Sequence, residues 1–308
     1  DLAGLGPYLL GVGTTEGSLV AVEVSPVTGL LGDATMTDSS NVPELEGARS
    51  VIVEGNYIYV VSQVSDALLV FEAAGVNDVL VFNLLSVYDF SQAGVFGLNQ
   101  ALQVKASPDG QFIYVAGSND NSLVVFDRDL NTGLLSNHVA YTHGVDDVEG
   151  LSGVNTFAIS SDGFSLYSNS ANLGQIGRFS RTVADGSLVF IDKLVGGDIN
   201  QELDGVSDIS ISHDDSNVYV SNALTHQLFV FSRNQVGMPT DSGYGDLTLG
   251  QVIAQGVDGV AGMLSPSKIS ISSDDRHVYV TGAQSDAVLW FGRDLESGEL
   301  TFGGLVSD

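Results

Sequence analysis

Five residues of different chemistry stand at one recurring place in this chain. Arg49, Gln103, Thr156, Asp208 and Lys268 lie at or near the start of the short β-branched runs "SVIVE", "LQVKA", "TFAIS", "DISIS" and "KISIS". The runs resemble one another, and their starting residues do not. A guanidinium, an amide, a hydroxyl, a carboxylate and an ammonium in one row supply donors and acceptors for a polar ligand rather than packing surface. These five are the first candidates for ligand binding. His143 and His226 join them, because both fall in connections near the same end of the runs.

Carboxylates come next. The loops "NVPELEGAR" (41–49), "HGVDDVEGL" (143–151), "GGDINQELDG" (196–205) and "GVDGVAGM" (256–263) are acidic. Asp146, Asp147, Glu149 and Asp258 are the oxygen ligands that a hard cation would use, and Ca²⁺ is the one cofactor this composition suggests. The other histidines, His138, His213 and His277, fall on a fourth strand or beside turns. No spacing supplies the further ligands that a histidine–carboxylate metal site needs. There is no G-x-S-x-G elbow, no Walker loop and no H-E-x-x-H pair. Two rim carboxylates could serve glycoside chemistry only at a defined separation, which spacing does not define. No catalytic residue is therefore assigned.

The elements that must position these groups are repeats. "SPDGQFIYVAGSNDNSLVVFDRDLNTGLLS" (107–136) is echoed by "SSDGFSLYSNSANLGQIGRFSRTVADGSL" (160–188) and "SSDDRHVYVTGAQSDAVLWFGRDLESGEL" (272–300). "PYLLGVGTTEGSLVAVEVSPVTGLLG", "GNYIYVVSQVSDALLVFE" and "HDDSNVYVSNALTHQLFVFSRN" bring the copies to six. One column holds Leu10, Tyr59, Tyr114, Tyr167, Tyr219 and Tyr279, spaced by 49 to 60 residues. A period of that size marks a propeller or an array. Each unit reads as strands separated by Asp- and Gly-rich turns. No segment keeps a 3.6-residue apolar period, so substantial helix is not expected.

The expected fold is all-β, a six-bladed β-propeller of four-stranded antiparallel blades in one domain. Its blades run approximately 1–40, 41–93, 94–143, 144–196, 197–255 and 256–308. The first unit has only "DLAGLG" before "PYLLGVG", so blade 1 is expected to lack its inner strand. The bare edge would then pair with a partner protein or a parent-chain segment. A homo-oligomer or larger assembly is a further expectation. Recurring columns are blade architecture: Arg128, Arg181, Arg233 and Arg293 form one, and Phe126, Phe179, Phe231 and Phe291 another.

Charge narrows the partners. The chain has 38 Asp and Glu against 10 Lys and Arg, a net charge of −28, so nucleic acid and anionic membranes are excluded as partners. Turn chemistry with solubility, adaptation to salt, and cation binding each account for the acidity. No apolar run reaches the length of a membrane span, so direct membrane insertion is excluded too. Cysteine is absent, which removes disulfides and thiolate chemistry. The chain opens on Asp1 with no basic and apolar leader, as a trimmed or processed protein would.

The phrase "SPDGQFIYVAG…NSLVVFDRDLNTGLL" resembles the lactonase-like β-propellers, a group that includes 6-phosphogluconolactonase-type proteins. The linkers "GVDGVAGM" and "GVDDVEGL" resemble those of bacterial cell-surface proteins built from the same repeats. The resemblance covers all six units. It implies a propeller, with seven blades in the lactonase-like enzymes, and a pocket using His, Arg and Glu, one of them in a His-Pro context. This chain has no His-Pro pair, so no catalytic residue carries over. The leading functional expectation is a non-enzymatic extracellular, cell-surface or periplasmic recognition or scaffold propeller. The alternatives are a lactonase-like hydrolase with a pocket at the channel mouth and a Ca²⁺-stabilised structural module.

Overall fold

A computed structural model describes residues 1–308 apart from 77, 78, 93, 242 and 308. It is a six-bladed β-propeller: six antiparallel sheets of four strands, each running in chain order from inner to outer strand. Among the described residues, helix is confined to single turns at Pro43–Leu45 and Gly196–Ile199. The blades' strands span 2–38, 48–88, 101–142, 157–195, 206–254 and 266–307. The blade limits read from sequence at 93 and 308 lie outside the described residues. The chain divides into two compact units of three blades each, 1–142 and 143–308.

The turns explain the repeated phrase. In "SPDG" the Asp109 carboxylate accepts the Gln111 N–H at 3.0 Å, and Gly110 takes the positive φ of 66°. In "SHDD" and "SSDD", Asp215 and Asp275 take that conformation instead, at 60° and 58°. Asp tolerates it better than most residues, and its carboxylate becomes available to a neighbouring blade.

Blade 1 differs from expectation. Its inner strand is Leu2–Leu5, paired antiparallel with Tyr8–Gly13 through Leu2↔Gly11, Ala3↔Leu10, Gly4↔Leu9 and Leu5↔Tyr8. The strand fits because the hairpin closes with only Gly6 and Pro7, and Gly6 supplies the positive φ of 54° that so tight a turn needs. A longer "SPDG"-type turn would have left too few residues. The edge expected to recruit a partner or parent-chain segment is therefore occupied by this chain.

Within each unit, every junction buries one face of a blade against the next. In 1–142, Leu10, Leu19 and Ala21 of blade 1 pack on Ile58, Val60, Leu69 and Phe71 of blade 2. Tyr59, Leu68 and Val70 of blade 2 pack in turn on Ile113, Val115, Val124 and Phe126 of blade 3. In 143–308, Tyr167 and Ile176 of blade 4 meet Val218, Val220, Phe229 and Phe231 of blade 5. Tyr219, Leu228 and Val230 of blade 5 then meet Val278, Val280, Leu289 and Phe291 of blade 6. Each fully buried apolar side chain contributes about 1.5–3 kcal/mol. Alternation along the strands gives each blade one face for either neighbour.

The repeated tyrosines and arginines clamp these junctions. Arg128 Nε donates to Tyr59 OH at 2.6 Å, Arg233 Nε to Tyr167 OH at 3.1 Å, and Arg293 Nε to Tyr219 OH at 2.7 Å. Each hydroxyl donates onward to a turn carbonyl: Tyr59 to Gly133, Tyr167 to Gly245 and Tyr219 to Gly298. Burial pushes all three phenols up to about 12, so they serve as neutral donors. Carboxylates complete the clamp in 143–308. Asp215 accepts the N–H groups of Ser161 and Asp162 at 2.7 Å each, and Asp275 those of His213 and Asp214 at 2.8 and 2.9 Å.

Candidate functional site

The row of dissimilar residues lies where the inner strands begin. Asp208 opposes Ser221 and Lys268 opposes Thr281, and a register shift beside each leaves Ser207 and Ser267 bulged. A bulge re-aims the side chains around it, and bulges cluster at barrel rims and active sites. Ser207 Oγ donates to the Pro266 carbonyl at 2.6 Å, and Ser267 and Thr281 share a hydroxyl pair at 2.8 Å. The amides of Asn155 and Thr156 both donate to Asn169 Oδ1.

Three of the predicted residues meet here. Asp208 is buried, and its Oδ1 accepts Thr156 Oγ1 at 2.9 Å and Lys268 Nζ at 3.3 Å. Its Oδ2 accepts the Ile269 N–H at 2.9 Å. One carboxylate thus ties the inner strands of blades 4, 5 and 6. With three donors upon it, Asp208 is an anchor rather than a base for abstracting a proton from water. Lys268 is half-exposed, so its ammonium keeps donor capacity for a ligand oxygen.

The same row in 1–142 is mainly structural. Asp1 Oδ2 accepts Ser50 Oγ at 2.6 Å and the Val51 N–H at 3.3 Å, and Ser50 Oγ accepts the Val104 N–H at 3.4 Å. Ser50, not Arg49, is the true member of the row. Arg49 is the bulged residue beside it, and its side chain is exposed. Gln103 is buried opposite Ala116. Asp1 was missed because the first unit was read without an inner strand, and Ser50 because the bulge at Arg49 shifts the row by one residue.

The two histidines do not join the Thr156–Asp208–Lys268 group. His226 Nδ1 accepts the Ser265 N–H at 2.9 Å, which places the proton of the neutral ring on Nε2. It can donate from Nε2 but is not a ready base there. His143 lies near Glu149, and its Nδ1 is buried without a hydrogen-bond partner among the described residues. Glu149 pairs with Lys193 on the outer strand of blade 4, and that hydrogen bond and charge hold its carboxyl below the usual range.

Among the described residues, no three of His, Asp and Glu come together as a metal-holding group. Asp146, Asp147 and Asp258 adopt positive φ of 50°, 61° and 51°, so they make the turns of their loops. Turn propensity accounts for the conformation of these aspartates.

A family profile described as "Lactonase, 7-bladed beta-propeller" matches residues 28–200 and 196–306. The chain belongs to this lactonase family. No functionally curated protein matches its sequence. Among solved structures, a candidate 6-phosphogluconolactonase from Bacteroides fragilis is similar at TM-score 0.76 and 18% identity, covering 96% of this chain and 80% of that one. A Lactobacillus plantarum protein follows at TM-score 0.75 and 19% identity, with 99% and 84% covered. The periplasmic gluconolactonase of Pseudomonas aeruginosa gives TM-score 0.73 and 19% identity, with 100% and 86% covered. At these identities the structural likeness establishes the fold alone.

Family membership overturns the leading expectation of a non-enzymatic recognition or scaffold propeller and favours the lactonase-like alternative. The misreading has a physical source. The repeated residues build blade junctions, so they carry the fold and are silent about activity. The described residues form six blades, and the family is described by seven. Among the described residues, no helix is long and apolar enough to cross a membrane.

A second polar cluster escaped the sequence reading. Arg178 stands opposite Tyr167 where blades 2, 3 and 5 carry Val70, Val125 and Val230. An arginine in an apolar column was the available signal. It makes a two-pronged bond to Asp192 at 2.9 and 2.6 Å, reaches Asp246 at 2.6 Å, and donates to the Tyr244 carbonyl. Burial opposes its charge, but these partners outweigh it and hold the guanidinium above its usual value. The cavity beside it measures about 320 Å³. With Nε, both terminal nitrogens and two carboxylates engaged, Arg178 locks blade 4 to blade 5.

Proposed function

We propose that this protein is a lactonase-like hydrolase that opens a sugar-acid lactone, with Lys268, anchored on Asp208, as the group that meets the ring carbonyl. The observation carrying the reading is the family match over most of the chain. In this reaction water adds to the carbonyl carbon and the ring C–O bond breaks. The same water supplies the proton taken up by the ring oxygen, and the product is the open hydroxy acid. An ammonium facing the carbonyl oxygen stabilises the negative charge that develops there. Thr156 and the serines of the inner-strand bulges supply hydroxyls suited to a polyhydroxylated ring.

Charge selects among lactones. The protein carries −28, and Arg128, Arg178, Arg233 and Arg293 are committed to blade junctions or ion pairs. A phosphorylated lactone would meet strong repulsion, so the uncharged aldonolactone is the better substrate. A periplasmic or extracellular location goes with this reading, as for the P. aeruginosa gluconolactonase.

The test is hydrolysis of glucono-δ-lactone and its 6-phosphate by the purified chain and by Lys268→Met. The expected result is turnover of the neutral lactone above the spontaneous rate, with kcat/KM falling at least tenfold in the variant. Absence of turnover on either lactone would defeat the hydrolase reading. Full activity in Lys268→Met would move the site elsewhere.

A further inference from the structure

The connection from blade 4 to blade 5 stands off the strand on which its counterparts lie. At the last residue of the second strand, blades 3 and 6 carry Gly117 and Gly282. A Cβ on either would run into the carbonyl oxygen of Gly97 or Gly262, so each connection there rests directly on its strand. Blade 5 carries Asn222 at that place, and its Nδ2 donates to the Glu202 carbonyl at 3.0 Å. A full side chain thus separates strand from connection. Glu202 also takes the place of Gly97, Gly150 and Gly262, whose φ of 87°, 75° and 80° turn three other connections. This segment closes on itself instead. The Gln201 N–H donates to the Gly196 carbonyl at 3.0 Å, and a Cβ on Gly196 would run into the Gln201 carbonyl oxygen.

The gap is a cavity of about 480 Å³, a volume typical of small-molecule sites. Gln227 lines it and is an odd member of its column. The third strands of blades 1, 2, 3 and 6 start with Ser18, Ala67, Ser122 and Ala287, all buried. Gln227 is half-buried, and alternation puts it on the strand face of Phe229 and Phe231, which pack toward blade 4. Asn200 and Gln201 of the connection face the same cavity. Among the described residues, the side-chain amides of Asn200, Gln201 and Gln227 are engaged in no hydrogen bond. Thr225 lines the cavity as well, and its Oγ1 is buried without a partner among the described residues. A buried hydroxyl left so is costly, and rotation about its Cα–Cβ bond would offer it to a ligand.

We propose that this cavity binds a neutral saccharide, with Asn200, Gln201 and Gln227 donating to and accepting from its hydroxyls and Glu202 accepting from them. A side-chain amide is both donor and acceptor, as a sugar hydroxyl is, so the two match without charge. The other ligand classes fit poorly. Ca²⁺ takes six or more oxygens, commonly from several carboxylates, and Glu202 is the one carboxylate among the described residues of the wall. An anion would meet no lysine or arginine there, against a net charge of −28. An apolar ligand would strand three amides. Thr156, Asp208 and Lys268 do not line this cavity, so the site stands whether or not the protein opens lactones.

The probe is maltotriose, observed by saturation-transfer NMR with the whole chain. Expected is transfer from protein to sugar protons, with glucose 6-phosphate binding more weakly than glucose. Gln227→Ser, which installs the residue type of blades 1 and 3, should weaken maltotriose binding about tenfold. Gly197→Phe should abolish it, because a side chain at Gly197 enters open space and fills the cavity. Lys268→Met should leave it unchanged. Absence of transfer to both maltotriose and glucose overturns the proposal, as does binding that neither cavity variant alters. Loss in Lys268→Met alone overturns it too, because the sugar would then sit on the inner row. Preference for glucose 6-phosphate would overturn the neutral class. Should Gly197→Phe not fold, Gln227→Ser decides the matter, with unchanged affinity counting against the site.

Discussion

The junction between blades 2 and 3 and the junctions between blades 4, 5 and 6 use the same tyrosine–arginine pair with different carboxylates. Beside Arg128 stands Glu54, half-buried, and burial raises its pKa against the opposing charge of Arg128. Beside Arg233 and Arg293 stand Asp162 and Asp214, each 2.9 Å from its guanidinium. Burial pushes these two up as well, but the balance reverses. Hydrogen bonds from Ser160 and Tyr244 to Asp162, and from Ser212 and Ser216 to Asp214, combine with the arginine charges to lower both. The difference originates in the turns. "SSDG" and "SHDD" place serines within reach of their aspartates, whereas Glu54 precedes a two-residue Gly55–Asn56 turn that offers none. A shared backbone plan therefore does not guarantee a shared charge balance.

The comparison breaks most visibly at the arginines. Arg233→Ala should cost about 3–5 kcal/mol, because it strands a partly buried carboxylate. Arg128→Ala should cost less, ~1–3 kcal/mol, mostly from the Tyr59 hydroxyl and the Glu54 and Gly110 carbonyls left without donors. Denaturant unfolding of both variants measures the gap, and equal losses would erase the distinction between the junctions.

The inner row sharpens the same contrast. Asp208→Ala should cost about 1–3 kcal/mol, since it leaves Thr156 and the Ile269 N–H unsatisfied. Ser50→Ala should cost ~0.5–1.5 kcal/mol, because the bond it accepts from Val104 is long, at 3.4 Å, and the Asp1 carboxylate that it donates to keeps the Val51 N–H. Lys268→Met should be nearly neutral for stability, which separates its role in activity from the anchoring role of Asp208.

Acid should act unevenly. The depressed carboxyls of Asp162 and Asp214 contribute stability above their unfolded pKa near ~3.9, and that contribution is lost as pH falls through the lower folded values. Glu54 has the opposite sign. Its raised pKa contributes stability below the unfolded value near ~4.3, which is lost as pH rises through the folded value. Hydrogen exchange below about pH 4 should thus accelerate at the junctions of blades 4–6 before that of blades 2 and 3. Simultaneous opening would argue against it.

The smallest effect belongs to Glu54→Gln. Removing a carboxylate whose ionisation burial disfavours should raise the melting temperature slightly at pH 7 and leave it unchanged well below the folded pKa. A drop at pH 7 would mean that Arg128 holds Glu54 as firmly as Arg233 holds Asp162.

Much of the architecture was legible as pattern. The Tyr114 and Arg128 columns marked the blades, and the "SPDG" turns marked the first hairpins, because a hairpin is encoded by residues close together in sequence. Blade 1 was misread for a local reason: a Gly-Pro turn two residues long leaves room for a strand that a longer turn would have excluded. Lys268 and Asp208 could be picked out as odd members of a row, but not as partners, since 60 residues separate them and only the packing of adjacent inner strands brings them to 3.3 Å. Arg178 could be seen to break an apolar column, but not to reach Asp246. By itself the sequence determined blade number, strand order and the two faces of each blade, all of which follow from alternation and turn chemistry. Only the tertiary structure decided which faces are covered. Tyr219, Leu228 and Val230 on one blade and Tyr279, Val288 and Trp290 on the next obey the same pattern, yet one set is buried and the other open, because burial depends on the presence of a neighbour that no local pattern encodes.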